Sequence, residues 1–111
     1  MLEFQVDRMI TIEKYNVEMI AALWQVYFTS IRMVCSRDYS KEQVEAWAPE
    51  SLDLNLVKEK MNQIKPFVAT FDDKIIGYAD LQADGLIDHF FVHGKYQGKG
   101  AGTALMKHIL I

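Results

Sequence analysis

The chain has 111 residues, 50% of them hydrophobic and 24% charged, which is the size and balance of one soluble globular domain over residues 1–111. Twelve Lys and Arg against fifteen Asp and Glu leave a net charge of −3, and this argues against a general nucleic-acid binder, because neutralising phosphates takes a basic surface. The single cysteine, Cys35, cannot form an internal disulfide, no signal-peptide pattern opens the chain, and no apolar run approaches the roughly 20 residues of a membrane span, so a cytoplasmic protein with no membrane association is expected.

In chain order, residues 9 to 13 alternate and are β-branched, which predicts a short first strand. Asn16 has the chemistry of an N-cap, and from 17 to about 36 the residues Ile20, Leu23, Trp24, Tyr27, Ile31 and Val34 recur at steps of three and four, one face of a long helix. Ser40 followed by Gln43 forms a capping box for a short helix with Val44 and Trp47 on its apolar side, ended by Pro49. Leu54, Val57, Met61 and Ile64 mark a third helix, with Lys58, Glu59, Lys60 and Asn62 toward solvent. Phe67 to Phe71 and Lys74 to Leu81 read as a hairpin turning at Asp72-Asp73, with Gly77 marking a bulge. After the Asp84-Gly85 turn, Leu86 to Val92 reads as the fourth strand, and a last helix starts at about Gly100. Connections this short between strands 2, 3 and 4 rule out parallel crossovers, so the fold class is α+β with a mostly antiparallel sheet flanked by helices.

The segment from Val92 to Gly102 carries the chemistry. A strand ends, a loop with four glycines allows close backbone approach, and a helix begins with free N–H groups and the positive end of its dipole, an arrangement suited to phosphate. Lys99 adds positive charge at its rim. It is not a P-loop, since Gly94 to Gly98 is one residue too short and Lys99 is followed by Gly100. Nor is it a dinucleotide fingerprint, which would need glycine where Thr103 stands and a βαβ setting in place of a meander.

Gln97-x-x-Gly100-x-Gly102, after a strand ending Phe91-Val92 and before a helix continuing Ala104-Leu105, resembles the acetyl-CoA signature of the Gcn5-related N-acetyltransferase superfamily. The likeness follows the whole chain in element order and is densest from Ile75-Ile76-Gly77-Tyr78 through Met106. It implies an acyl-CoA N-acyltransferase fold in which the amides from Gly98 to Gly102, including Lys99 and Ala101, hold the CoA pyrophosphate while pantetheine runs along Phe90, Phe91 and Val92. Members of the superfamily usually continue with a fifth strand, a further helix and often a tyrosine acid. The expectation is therefore a fold shortened after the cofactor-binding helix, with Phe91, Leu105, Ile109 and Leu110 partly unshielded and a homodimer covering them.

The resemblance implies attack of a primary amine on the thioester of acetyl-CoA, with the N–H of Val92 as oxyanion donor and a carboxylate or histidine as base. Strand alternation would put Asp88 on the same face as Phe90 and Val92, and Ile87, His89 and Phe91 on the other. Asp88 would then act through water across about 13 Å of strand, against its plainer reading as a cross-strand partner; His89 is a comparable candidate. Asp80 reads as a polar position of the third strand, His93 and His108 as surface residues, and Cys35 as a small buried hydrophobe. No metal-ligand spacing is present and no metal is expected. Tyr39 and Trp47 flank the segment that in this superfamily faces the acceptor, and are candidates for substrate contact. The expected function is acetyl transfer to a small-molecule or amino-acid-like amine; the alternative is a non-catalytic acyl-CoA-binding or regulatory module. A partner domain without ligand is disfavoured by the intact loop.

Overall fold

A computed structural model describes residues 10–34, 37–48 and 53–110. Cys35, Pro49 and the side chain of Val34 lie outside the described residues, so the expectations placed on them stay at the level of sequence. The order is β1 (Thr11–Lys14), α1 (Ile20–Thr29), α2 (Lys41–Trp47), α3 (Leu54–Ile64), β2 (Phe67–Phe71), β3 (Lys74–Ala79), β4 (Phe90–Val92) and α4 (Ala101–Leu110). The four strands form one antiparallel sheet in the order β1-β2-β3-β4, so both β1 and β4 are edges among the described residues.

Local chemistry accounts for most boundaries. Asn16 accepts from the N–H of Glu18, opening a single 3-10 turn over Val17–Met19 that leads into α1. Ser40 and Gln43 complete the reciprocal capping box of α2, and Asp53 caps α3. Asp72 and Asp73 both take positive φ, as the tight turn of the β2–β3 hairpin requires. Opposite Ala69 and Thr70 the β2–β3 register slips by one residue between Ile75 and Gly77, where a bulge was expected.

Three expectations are corrected. The long helix is not uniform: α1 gives way at Ser30 to a π turn over Ser30–Val34. The third strand stops at Ala79, and the fourth is three residues long instead of seven. Between them Asp80, fully buried, turns its carboxylate into the place of a strand partner. Its Oδ1 accepts from the N–H groups of Asp88 (2.9 Å) and His89 (2.6 Å), while its own N–H donates to His89 O. A side chain that consumes two amides removes them from the ladder, so 86–89 cannot continue β4. Asp80 is thus an organising residue of the core, not a polar strand position.

Helices cover both faces of the sheet. On one, Leu23 and Val26 of α1 and Val57, Met61 and Ile64 of α3 pack over Val68 and Tyr78. On the other, Ala101, Leu105 and Ile109 of α4 pack over Ala69, Ile76 and Ala79. Burying each Val, Leu, Ile or Met among these stabilises the fold by about 1.5–3 kcal/mol. The unshielded patch expected at the end of the chain is therefore largely absent: Leu105 and Ile109 are buried, Phe91 is half-buried, and Leu110 alone of the four stands out, 76% exposed.

Candidate functional site

The glycine loop and the start of α4 border an open cavity of about 390 Å³. Its strand wall is Phe90 and Val92; its floor and helix wall are Gln97, Gly98, Gly100, Ala101 and Gly102. Seven of the nine residues expected to hold the cofactor thus meet in one place. The other two do not line it: Lys99 is exposed at the rim, and Phe91 points through the sheet to pack on Tyr27 and Tyr78. That division is the alternation of a strand, and it holds for the three residues that are strand.

Gly98 and Gly100 adopt φ of +76° and +95°, and among the described residues a Cβ at Gly98 would meet nothing within 4 Å while one at Gly100 would touch Ile10 at 3.8 Å. Glycine is required there for backbone conformation rather than for space. Gly100 accepts the first helical bond, from Ala104 N–H at 3.0 Å, so it is the capping residue of α4 and has no side chain to offer. The N–H groups of Ala101, Gly102 and Thr103 have no carbonyl to meet within the helix and begin at the cavity wall. No acidic side chain stands in this first turn. The local field favours an anion.

The loop is tied down at several points. Gly94 N–H donates to Thr29 Oγ1 (2.9 Å), whose own proton goes to Gln25 O (2.7 Å). A Cβ on Gly94 would lie 2.7 Å from both Met33 Sδ and Thr29 O, so this glycine answers to close packing on the end of α1. His93 is half-buried and caps the turn Gly94–Tyr96 through Nδ1, and burial lowers its pKa, with Lys95 adding to the effect. Gln97 Nε2 donates to Val92 O at 2.7 Å, closing the loop on β4.

The register fixes what β4 leaves open. Gly77 faces Val92 and Ala79 faces Phe90, and the flanking bonds run from His93 N–H to Ile76 O (2.7 Å) and from Asp80 N–H to His89 O (3.2 Å). In an antiparallel ladder this makes Gly77/Val92 and Ala79/Phe90 the non-hydrogen-bonded pairs, so the N–H groups of Phe90 and Val92 point away from β3.

Asp88 is elsewhere. It is exposed, its carboxylate 2.5 Å from Lys60 Nζ of α3, on the side of the sheet opposite α4; the hydrogen bond from Lys60 holds it below the ordinary carboxylate range. The expectation that it shares a face with Val92 fails because 86–89 is not strand. His89 is half-buried between the rings of Tyr27, Tyr78 and Phe91, and its Nδ1 lies 2.9 Å from the Tyr78 hydroxyl. Burial, and secondarily the charge of Lys60, lower its pKa. Tyr39 and Trp47 are both exposed and pack edge to face at 5.0 Å; Trp47 also borders a second cavity, of about 300 Å³, with His89.

Sequence reasoning missed Ser30, Tyr96 and Thr103, which also line the first cavity, and Thr29, which anchors the loop. Tyr96 and Thr103 adjoin the glycine signature and were within reach of it; Ser30 and Thr29 come from a distant helix and carry no local signal.

A family model described as an acetyltransferase (GNAT) domain matches residues 35–111. The uncharacterised N-acetyltransferase YafP of Escherichia coli K12 is 28% identical over 101 residues, which are 91% of this chain and 65% of that protein. A crystal structure of a GCN5-related N-acetyltransferase (aminotransferase, class II) from Rhodopseudomonas palustris superposes with a TM-score of 0.82 at 29% identity, over 90% of this chain and 62% of the other. PaiA N-acetyltransferase from Thermoplasma acidophilum, solved in complex with coenzyme A, has a TM-score of 0.69 at 21% identity, over 90% of this chain and 69% of the other. The chain thus spans less than two thirds of the first two relatives.

Proposed function

The chain belongs to the GNAT acetyltransferase family, and from that premise we propose that it binds acetyl-CoA in the cavity at the start of α4 and transfers the acetyl group to a small primary amine. The observation that carries this reading is the α4 N-terminus: three N–H groups with no partner within the helix, a capping glycine without a side chain and a cavity in front of them. The coenzyme A bound by PaiA, whose fold this chain shares, supports the choice of ligand.

In this reading the amides from Gly98 to Gly102 receive the pyrophosphate, Lys99 contributes charge from the rim, and Phe90 and Val92 flank the pantetheine arm. Acetyl-CoA supplies the acyl group as an activated thioester. The outward N–H of Val92 donates where negative charge develops on the acyl oxygen. Gln97 holds the Val92 carbonyl and with it the orientation of that peptide. Asp88, kept ionised by Lys60, takes the proton of the acceptor's ammonium through water; the freed amine bonds to the acyl carbon, the carbon–sulfur bond breaks, and the CoA thiolate leaves and takes a proton from solvent. Tyr39 and Trp47 border the acceptor's approach. The protein works in the cytoplasm.

Gly100→Val forces a β-branched residue into φ +95° and closes the anion site. Calorimetry should show CoA affinity reduced at least about a hundredfold, with circular dichroism reporting a folded domain. Unchanged affinity would remove the assignment. A homodimer, in this reading, buries the exposed Leu110 of α4 against a second copy and leaves the β4 edge to the cofactor. Light scattering across a concentration series tests it, and one chain's mass throughout would reject it.

A further inference from the structure

The second cavity has a chemistry of its own. Trp24, Tyr27 and Trp47 wall it with aromatic rings, Tyr78 and His89 lie at the sheet side, and Lys60 stands on α3. No carboxylate is among the described residues that line it. Its volume of about 300 Å³ is at the lower end of ligand pockets, which run from roughly 300 to 1,000 Å³.

The polar groups at the sheet side have a defined polarity. Tyr78 is fully buried, and its hydroxyl has His89 Nδ1 as partner at 2.9 Å. A buried hydroxyl places its proton on an available acceptor, so Nδ1 accepts and the neutral ring carries its own proton on Nε2. Nε2 makes no hydrogen bond among the described residues. Burial keeps the ring neutral, and the hydroxyl of Tyr78 is held far from ionising by the same cause. The Lys60 ammonium has three protons, of which Asp88 takes one. The cavity therefore offers flat apolar walls and two kinds of hydrogen-bond donor.

We propose that this cavity is the acceptor site and that it takes a small amine bearing an aromatic side chain and a carboxylate, an aromatic amino acid or its close analogue. The rings receive the side chain, and His89 Nε2–H with Lys60 receives the carboxylate. Tyr78 is a positioning residue that fixes the tautomer. A polycationic amine finds no carboxylate among the described residues of these walls to take its further charges. The inference rests on the acetyl-transfer reading for the word acceptor; the binding chemistry stands on the cavity alone.

The two tryptophans of the chain, Trp24 and Trp47, both line the cavity, so intrinsic fluorescence reads its occupancy. With and without CoA, L-phenylalanine should quench it saturably, phenethylamine at least about tenfold more weakly for want of the carboxylate, and spermidine not at all. His89→Phe, with Lys60 still in place, should weaken L-phenylalanine at least about threefold and shift phenethylamine by less than that. Long-range nitrogen–proton NMR on the unmodified protein checks the tautomer independently, whatever the folding of that variant: the Nε2–H form supports the proposal and the Nδ1–H form overturns it. Equal binding of phenethylamine, saturable binding of spermidine, or no response to L-phenylalanine would each overturn it too. Calorimetry with CoA separates the two readings, since loss of CoA binding strikes the acetyl-transfer function and not the ligand class of this cavity.

Discussion

The two ends of β4 meet the same problem and solve it in opposite ways. At the entry, the amides of Asp88 and His89 leave the ladder and are taken by the buried carboxylate of Asp80. At the exit, the amides at the start of α4 also lack partners within the helix, but Gly100 brings no side chain to them and a cavity lies in front. Polar groups satisfied from inside make a rigid junction; polar groups left open at a cavity stay available to a ligand. Sequence types alone distinguish the ends poorly, because aspartate and glycine are both turn residues.

The comparison breaks most visibly at Asp80. Asp80→Ala leaves two amide donors and the Gln82 side-chain amide without their acceptor. Chemical denaturation should show a loss of about 3–5 kcal/mol, taking a buried acceptor with several donors at ~1–3 kcal/mol each and allowing for partial relaxation. A loss under about 1 kcal/mol would mean that the entry is not organised by this side chain.

Gly94→Ala sharpens the exit end. The new methyl would sit 2.7 Å from Met33 Sδ and Thr29 O, so the loop must shift off α1. Stability should fall by about 1–3 kcal/mol, measured by thermal melting, and CoA affinity should fall with it. Gly98→Ala is the contrast: nothing lies within 4 Å of its Cβ, so any cost comes from φ +76° alone.

Asp88→Asn has the smallest expected effect. Acetyl transfer at neutral pH, followed by thiol release, should drop by about a hundredfold or less, with CoA affinity unchanged. The pH window separates it from its neighbour. Asp88 has a depressed pKa, so the Lys60 pair contributes stability above the ordinary carboxylate value of about 3.9, lost as pH falls through the lower folded value. His89 is also depressed, so its contribution is present above about 6.5 and is lost as pH falls below that. Destabilisation between pH 7 and 5 therefore belongs to His89, together with His93, which burial shifts the same way, and not to Asp88. A variant with full rate and an unaltered pH profile would return Asp88 to a structural role.

Much of this was legible in residues near one another. The caps at Asn16 and Ser40, the antiparallel β2–β3 hairpin with its Asp72-Asp73 turn and the Gln97-to-Gly102 loop all depend on contacts within a few positions, and each stands where it was expected. The fourth strand was misjudged because alternation from Leu86 onward cannot reveal a carboxylate eight residues earlier in the chain. The face of Asp88 was misjudged for the same reason: it found Lys60 on α3, a pairing that no period encodes.

The sequence by itself determined the fold class, the position of the glycine loop and the anion-seeking character of the α4 start, because backbone conformation, capping and hydrophobic period are local properties of the chain. Tertiary structure decided which polar groups remain unpaired. It brought Thr29 to Gly94 across 65 residues, Asp80 to the amides of Asp88 and His89, and the Tyr78 hydroxyl to His89. Those pairings depend on how helices settle on the two faces of the sheet, and packing, not periodicity, fixes that.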